Sequence, residues 1–208
     1  MNESRKAHWD TVYGTKALTD LSWYEAVPAK SLELIRASGL QAADPIIDVG
    51  GGASFLVEAL LDQGHTDLTI LDISSEVLQK LRTRLGARAT NVTLLQQDVT
   101  AFRPEKRYML WHDRAVFHFL VSADDRKRYV EALRQALLPN GQVIIATFGP
   151  EGPERCSGLE VVRYDAAGLS AQLGTEFTLV EASIESHRTP RGALQQFQYS
   201  RLRRLMRP

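Results

Sequence analysis

The chain of 208 residues contains a single cysteine, Cys156, so no disulfide can form within it. A lone thiol fits a reducing compartment, and a cytoplasmic location is expected. Charge of one sign is also lacking: 25 Lys and Arg stand against 25 Asp and Glu. No overall field therefore draws the protein onto nucleic acid or an anionic membrane, and neither is expected as a partner. No apolar run approaches the roughly 20 residues of a membrane span, and the start, Met1 to Lys6, lacks an apolar signal core. His and Cys never fall at metal-ligand spacing, so no metal is expected. Repeats and low-complexity tracts are absent. What is present is ordinary globular material, 44% apolar and 24% charged, enough for one packed domain.

The most informative stretch is Ile46-Ile47-Asp48-Val49-Gly50-Gly51-Gly52. An apolar β-branched run fits a buried parallel strand, and the glycines let the backbone turn sharply and approach a ligand where a Cβ would collide. A helical apolar stretch from Phe55 to Leu61 follows, ended by Gly64, and the next strand delivers Asp72 about 20 residues after the glycines, where a ribose-binding acid belongs. Both dinucleotides and S-adenosylmethionine use this arrangement. Two residues separate them. Phe55 stands where the third glycine of the dinucleotide fingerprint would be, and Asp48 sets a carboxylate beside the turn, which would repel two phosphates and suits an ammonium and a sulfonium.

On these residues the chain resembles the class I S-adenosylmethionine-dependent methyltransferases, with order and spacing that fit from about residue 46 to residue 147. The resemblance implies S-adenosyl-L-methionine as cofactor. It implies that Asp48, Gly50, Gly51 and Gly52 hold the methionine part, that Asp72 and the neighbouring Ile73 take the ribose, and that Asp98 and Val99, after the third strand, lie beside the adenine. A nicotinamide-dependent oxidoreductase is disfavoured by Phe55 and Asp48 and by the lack of an evident hydride-transfer pair. A non-catalytic domain that only binds the cofactor stays open at this point.

Open doubly wound sheets bind ligands at the carboxyl ends of their strands, which makes the loop expected after the fourth strand, Tyr108 to Trp111, the richest place for acceptor chemistry. His112 and His118 are candidate bases, Asp113 a candidate to orient one of them or hold an amine, and Arg114 a candidate substrate contact. Trp111-His112-Asp113-Arg114-Ala115 resembles an Asp-Arg-Gly/Ala element of small-molecule thiol or halide methyltransferases. The Asn-Pro-Pro-Tyr type element of amino-directed DNA and glutamine methyltransferases is missing. A small-molecule acceptor is therefore expected, with a protein lysine as the alternative. An aromatic amino-terminal segment, Trp9, Tyr13, Trp23 and Tyr24, reads either as a lid over cofactor and acceptor or as an anchor on the sheet. His187, in the link between the last two strands, is a further candidate contact.

The expected fold is α/β: a doubly wound, mostly parallel seven-stranded sheet with helices on both faces and a carboxyl-terminal antiparallel hairpin. Residues 1–45 form the aromatic arm and a lead-in helix over Ala26–Gly39, and residues 46–208 the methyltransferase domain. Ser74, Ser122 and Asp165 are expected to cap helices. The fifth strand is expected at Gln142–Thr147, and the hairpin near Phe177–Ser186 and Leu194–Leu202. The basic run from Arg201 to Arg207 reads as a solvated strand end.

Overall fold

A computed structural model describes residues 3–205, so Arg207 of the basic run lies outside the described residues. Helix α1 (Glu3–Thr15) and helix α2 (Ala29–Ala37) precede the sheet. Strand β1 (Ile46–Val49) leads to α3 (Leu56–Asp62), β2 (Leu68–Asp72), α4 (Ser75–Leu85), β3 (Val92–Gln96), β4 (Tyr108–Arg114) and α5 (Ala123–Ala136). Then come β5 (Leu137–Phe148), a two-residue hairpin of β6 (Arg155–Cys156) and β7 (Leu159–Glu160), α6 (Ala166–Leu173), β8 (Phe177–Arg188) and β9 (Leu194–Arg204).

The main sheet runs β3-β2-β1-β4-β5-β9-β8. Its first five strands are parallel, and β9 is antiparallel to both β5 and β8. The order reverses between β1 and β4, the crevice where such sheets take ligands. Parallel strands buried on both faces explain the continuous apolar runs: β1 and β2 are buried at every position. One face packs Leu32 and Ile35 of α2, Leu56 of α3 and Leu81 of α4. The opposite face packs Tyr129 and Leu133 of α5 with Leu169 of α6. Burial of each such side chain contributes about 1.5–3 kcal/mol.

The expected caps form as hydrogen bonds. Ser74 accepts from the Val77 amide, Ser122 from Asp125 and Asp165 from Gly168. The boundaries differ in three places. The lead-in helix is shorter than Ala26–Gly39, because the Pro28 ring disfavours helical backbone at the residue before it and helix begins at Ala29. The fifth strand starts at Leu137, since Leu137 already pairs with Tyr108 of β4, and the expected break at Pro139-Asn140-Gly141 is a local kink with Asn140 at φ +61°. The fourth strand continues three residues past Trp111. His112 and Asp113 pair with Ile144 and Ile145, so these residues stand on the sheet and not in a loop.

Candidate active site

At the carboxyl ends of β1, β2 and β4 lies a cavity enclosing about 110 Å³, within a cleft of about 1110 Å³ that includes open solvent at its mouth. One half is built from the first two strand ends. Gly50 takes φ +72°, which an L side chain rarely adopts, and a Cβ there would sit 2.2 Å from Cγ2 of Val116. A Cβ on Gly51 would meet Asp48 Oδ2 at 2.2 Å. The glycines thus keep the backbone pressed against the strand end and leave the floor of the cavity to Asp48. Gly52 does not line the cavity: its amide donates to Asp72 Oδ2 at 3.2 Å, while Ser74 N donates to Oδ1 at 3.0 Å. Burial raises the Asp72 carboxyl to about 6 despite these hydrogen bonds.

Asp48 and His112 are directly paired across β1 and β4. Nδ1 of His112 lies 2.7 Å from Asp48 Oδ1, and Nε2 lies 2.9 Å from the Ser31 hydroxyl. A carboxylate only accepts, so Nδ1 of His112 donates to Asp48 while Nε2 faces the Ser31 hydroxyl. The chain continues, for Ser31 also bonds the Tyr199 hydroxyl, and Tyr199 accepts from Nε of Arg114 at 2.9 Å. Arg114, Tyr199, Ser31 and His112 thus form one hydrogen-bonded network that ends on Asp48. The result fixes Oδ1 of Asp48 and leaves Oδ2 buried without a partner among the described residues. An acceptor-only atom in the cavity wall, beside a glycine cradle, fits the ammonium of S-adenosylmethionine. Asp72 fits its ribose hydroxyls.

Asp98 lines the cavity at the end of β3, and its carboxylate is also engaged within the chain. Its carboxylate accepts from the Thr100 amide at 2.9 Å and hydroxyl at 2.8 Å, and from Nη1 of Arg5 at 3.0 Å. The same guanidinium reaches Asp125 at 2.9 Å. Ile73, Val99 and Gln97 line the cavity beside it. Arg5, invisible to motif reading because it lies far from any glycine signature, ties α1 across the cofactor half.

The other half is roofed by the amino-terminal segment. Trp9 stacks on Tyr13 with centroids 5.8 Å apart and meets Phe119 edge-on at 5.1 Å and Trp23 at 5.9 Å. Tyr24 packs against Phe55. The segment is both cover and anchor: Trp9, Tyr13, Trp23 and Tyr24 line the cavity, while Asp10 accepts from Ser74 at 2.6 Å and Lys80 donates to the Tyr13 carbonyl. Arg114 lines this half, lying 3.0 Å from Glu25 Oε1 and donating to the Trp23 carbonyl at 2.9 Å. Burial works against ionising Glu25, yet hydrogen bonding from His187 and the charge of Arg114 hold its carboxyl below the ordinary value. Cys156 also faces the cavity, and burial pushes its thiol up to about 11, so it is no thiolate nucleophile.

Besides Gly52, three of the candidate residues stand away from the cavity. Asp113 is fully buried and accepts from the amides of Val116 and Phe117 and, at 2.6 Å, from the Tyr129 hydroxyl. It holds the turn in which Ala115 has φ +71° and Val116 is delivered against Gly50. His118 is equally buried, accepts from the Phe148 amide through Nδ1, and is kept neutral by burial, with a value of about 3. His187 bonds the Ser22 carbonyl and approaches Glu25 at 3.6 Å, behind the cavity wall. Its sequence position in a turn concealed that role, because β8 extends through Arg188.

A family model described as a methyltransferase domain matches residues 46–141. Malonyl-[acyl-carrier protein] O-methyltransferase 2 of Ilyobacter polytropus is 24% identical over 107 residues, covering 51% of this chain and 40% of its own length. The chain thus spans half or less of the length of the malonyl-[acyl-carrier protein] relatives it matches. A structure solved in work on the conversion of a disulfide bond into a thioacetal group during echinomycin biosynthesis superimposes with a TM-score of 0.78 at 19% identity, covering 97% of this chain and 92% of that one. The N-methyltransferase NodS of Bradyrhizobium japonicum, in complex with S-adenosyl-L-homocysteine, gives 0.71 at 16% identity, with 94% and 97% covered. With the glycine turn and strand-end acids in place, residues 46–141 match a methyltransferase domain, and the sheet has the fold of S-adenosylmethionine-dependent methyltransferases. Their cofactor is S-adenosyl-L-methionine.

Proposed function

We propose that the protein transfers a methyl group from S-adenosyl-L-methionine to a small-molecule nucleophile held under the aromatic arm. The observation that carries this is the continuity of one cavity, which joins the Asp48 and Asp72 half to a roofed half ending at Glu25 and Arg114. When bound, the cofactor supplies a methyl carbon already activated by a positive sulfur. The chain's own residues then need chiefly to align and to enclose. Asp48 would hold the ammonium and Asp72 the ribose hydroxyls of the cofactor, Val116 and the glycines set its depth, and the rings of Trp9, Tyr13 and Trp23 exclude water. Holding two reactants in line is worth roughly 7–11 kcal/mol of barrier.

The residues argue against a dedicated histidine base. His118 is turned into the core, and His112 has both nitrogens engaged. This favours acceptors that lose their proton readily or carry none in the reacting form, such as thiols and neutral amines. A roofed cavity also suits a small molecule better than a lysine on a folded protein surface. Labelled cofactor incubated with metabolite, protein and RNA fractions tests the reading. Label in the metabolite fraction is expected, and label chiefly in one protein band would replace the small molecule with a protein substrate.

A further inference from the structure

The roofed half of the cavity carries charge that is already cancelled. Arg114 is its cation and Glu25 its anion, 3.0 Å apart, and the guanidinium is further engaged by Tyr199, by the Trp23 carbonyl and by the face of Phe197 at 4.6 Å. Arg5, the other cation on the wall, is held by Asp98 and Asp125. An acceptor bearing a formal charge would therefore lose its hydration without gaining a counter-ion, which is costly in a buried site. Around this pair the wall is aromatic and aliphatic: Trp9, Tyr13, Leu18, Leu21, Trp23 and Phe119. Arg114 still offers a polar handle. Nη2 of Arg114 is buried and makes no hydrogen bond of good geometry, although Glu25 is close.

Resting on the function proposed above, we infer that the methyl acceptor is an uncharged, largely aromatic or apolar small molecule that presents one hydrogen-bond-accepting group to Arg114. The rings supply flat contact area at low conformational cost, and the guanidinium supplies orientation. Glu25 is then a specificity-determining residue: it excludes anionic acceptors by neutralising the cation that would attract them.

A matched probe series tests this with the full chain saturated by S-adenosyl-L-homocysteine, whose binding is measured first by calorimetry. The probes are 2-naphthol, 2-naphthoate and 2-naphthylmethylammonium, which share one ring system and differ in charge at pH 7. The naphthol is expected to bind at least about tenfold more tightly than either ion, a difference of about 1.4 kcal/mol. Glu25→Gln is expected to raise naphthoate affinity about tenfold while leaving that for homocysteine product unchanged. Trp23→Phe, which keeps an apolar ring should Glu25→Gln fail to fold, is expected to weaken naphthol more than either ion. Tightest binding of the ammonium, tightest binding of the carboxylate by the unaltered protein, or no binding of any probe would overturn the assignment. Absence of heat with the homocysteine product would instead bring down the cofactor reading on which it rests.

Discussion

The two halves of the cavity differ in how they are made. The cofactor half comes from strand ends adjacent in the sheet, so a short sequence motif already contains its glycines and acids: Asp48 to Gly52, Asp72 and Asp98. The roofed half draws on α1, the segment before α2, β4 and the β6–β7 hairpin, which meet only after folding. Shared chemistry can be conserved by a motif in the first case, while the second is free to be lined by rings and a cancelled ion pair suited to one acceptor.

The sharpest way to break this division is to fill the cofactor half. Gly51→Val would place methyl groups where Asp48 Oδ2 lies, and binding of S-adenosyl-L-homocysteine is expected to fall by more than about a hundredfold, the consequence of blocking both the cradle and its acid. The roofed half is untouched by this change, so the melting temperature should drop far less than affinity does. Calorimetry and thermal unfolding on the same preparation separate the two, and retained affinity would mean that the cofactor lies elsewhere.

Next in size is Asp72→Asn, expected to cost roughly 1.5–3 kcal/mol of cofactor affinity through lost charged hydrogen bonds. A pH series sharpens it. The folded carboxyl titrates at about 6, above its ordinary 3.8, so without ligand the folded state binds the extra proton first. This group therefore favours folding more as pH falls through 6 towards 3.8, and that contribution fades as pH rises. The carboxylate is the form that accepts from ribose hydroxyls, so affinity should fall below about pH 6 in the unaltered protein, and this acid limb should be absent in Asp72→Asn. Calorimetric titrations between pH 5 and 8 would show it, and an unaltered limb would assign it to another group.

The contrast between the halves also explains what the sequence could reveal. Strand order, caps and the glycine turn are local or periodic signals, and Ser74, Ser122 and Asp165 cap as their spacing implies. Arg5, Ser31 and Glu25 carry no such signal. Their meaning comes from pairing with Asp98, His112 and Arg114, which lie 93, 81 and 89 positions away along the chain. His112, Asp113 and His118 drew attention by chemistry and adjacency, but in a strand successive side chains point to opposite faces. Extension of β4 through Arg114 consequently sends Asp113 to Tyr129 on one face and His112 to Ser31 on the other.

Arg5→Ala probes how the arm joins the halves. Removing the guanidinium leaves Asp98, itself 2% exposed, without its partner. A loss of about 1–3 kcal/mol is expected for breaking a charged hydrogen-bond pair at a buried carboxylate, discounted towards the lower end because Arg5 is partly solvated. The loss should concentrate in α1 as faster amide exchange over Glu3–Thr15, with β1 and β2 unchanged. Uniform acceleration across the sheet would show that the arm is integral to the core and not a separable cover.

The smallest effect on catalysis is expected at His118. An Asn there can place an oxygen where Nδ1 accepts from the Phe148 amide, so His118→Asn keeps that hydrogen bond while removing the imidazole. Some packing against Phe119 and Phe148 is lost, and a stability decrease of about 0.5–3 kcal/mol is expected, the common range for a buried substitution. The pH profile of kcat should keep its shape, because a histidine held neutral down to about pH 3 and facing the core has no proton to exchange with the acceptor across the physiological range. His112→Asn is the instructive partner: it interrupts the chain that orients Asp48, so its effect should fall on cofactor affinity. Loss of the basic or acidic limb of kcat in His118→Asn, at unchanged cofactor affinity, would mean that the ring swings into the roofed half during turnover and serves there as the base.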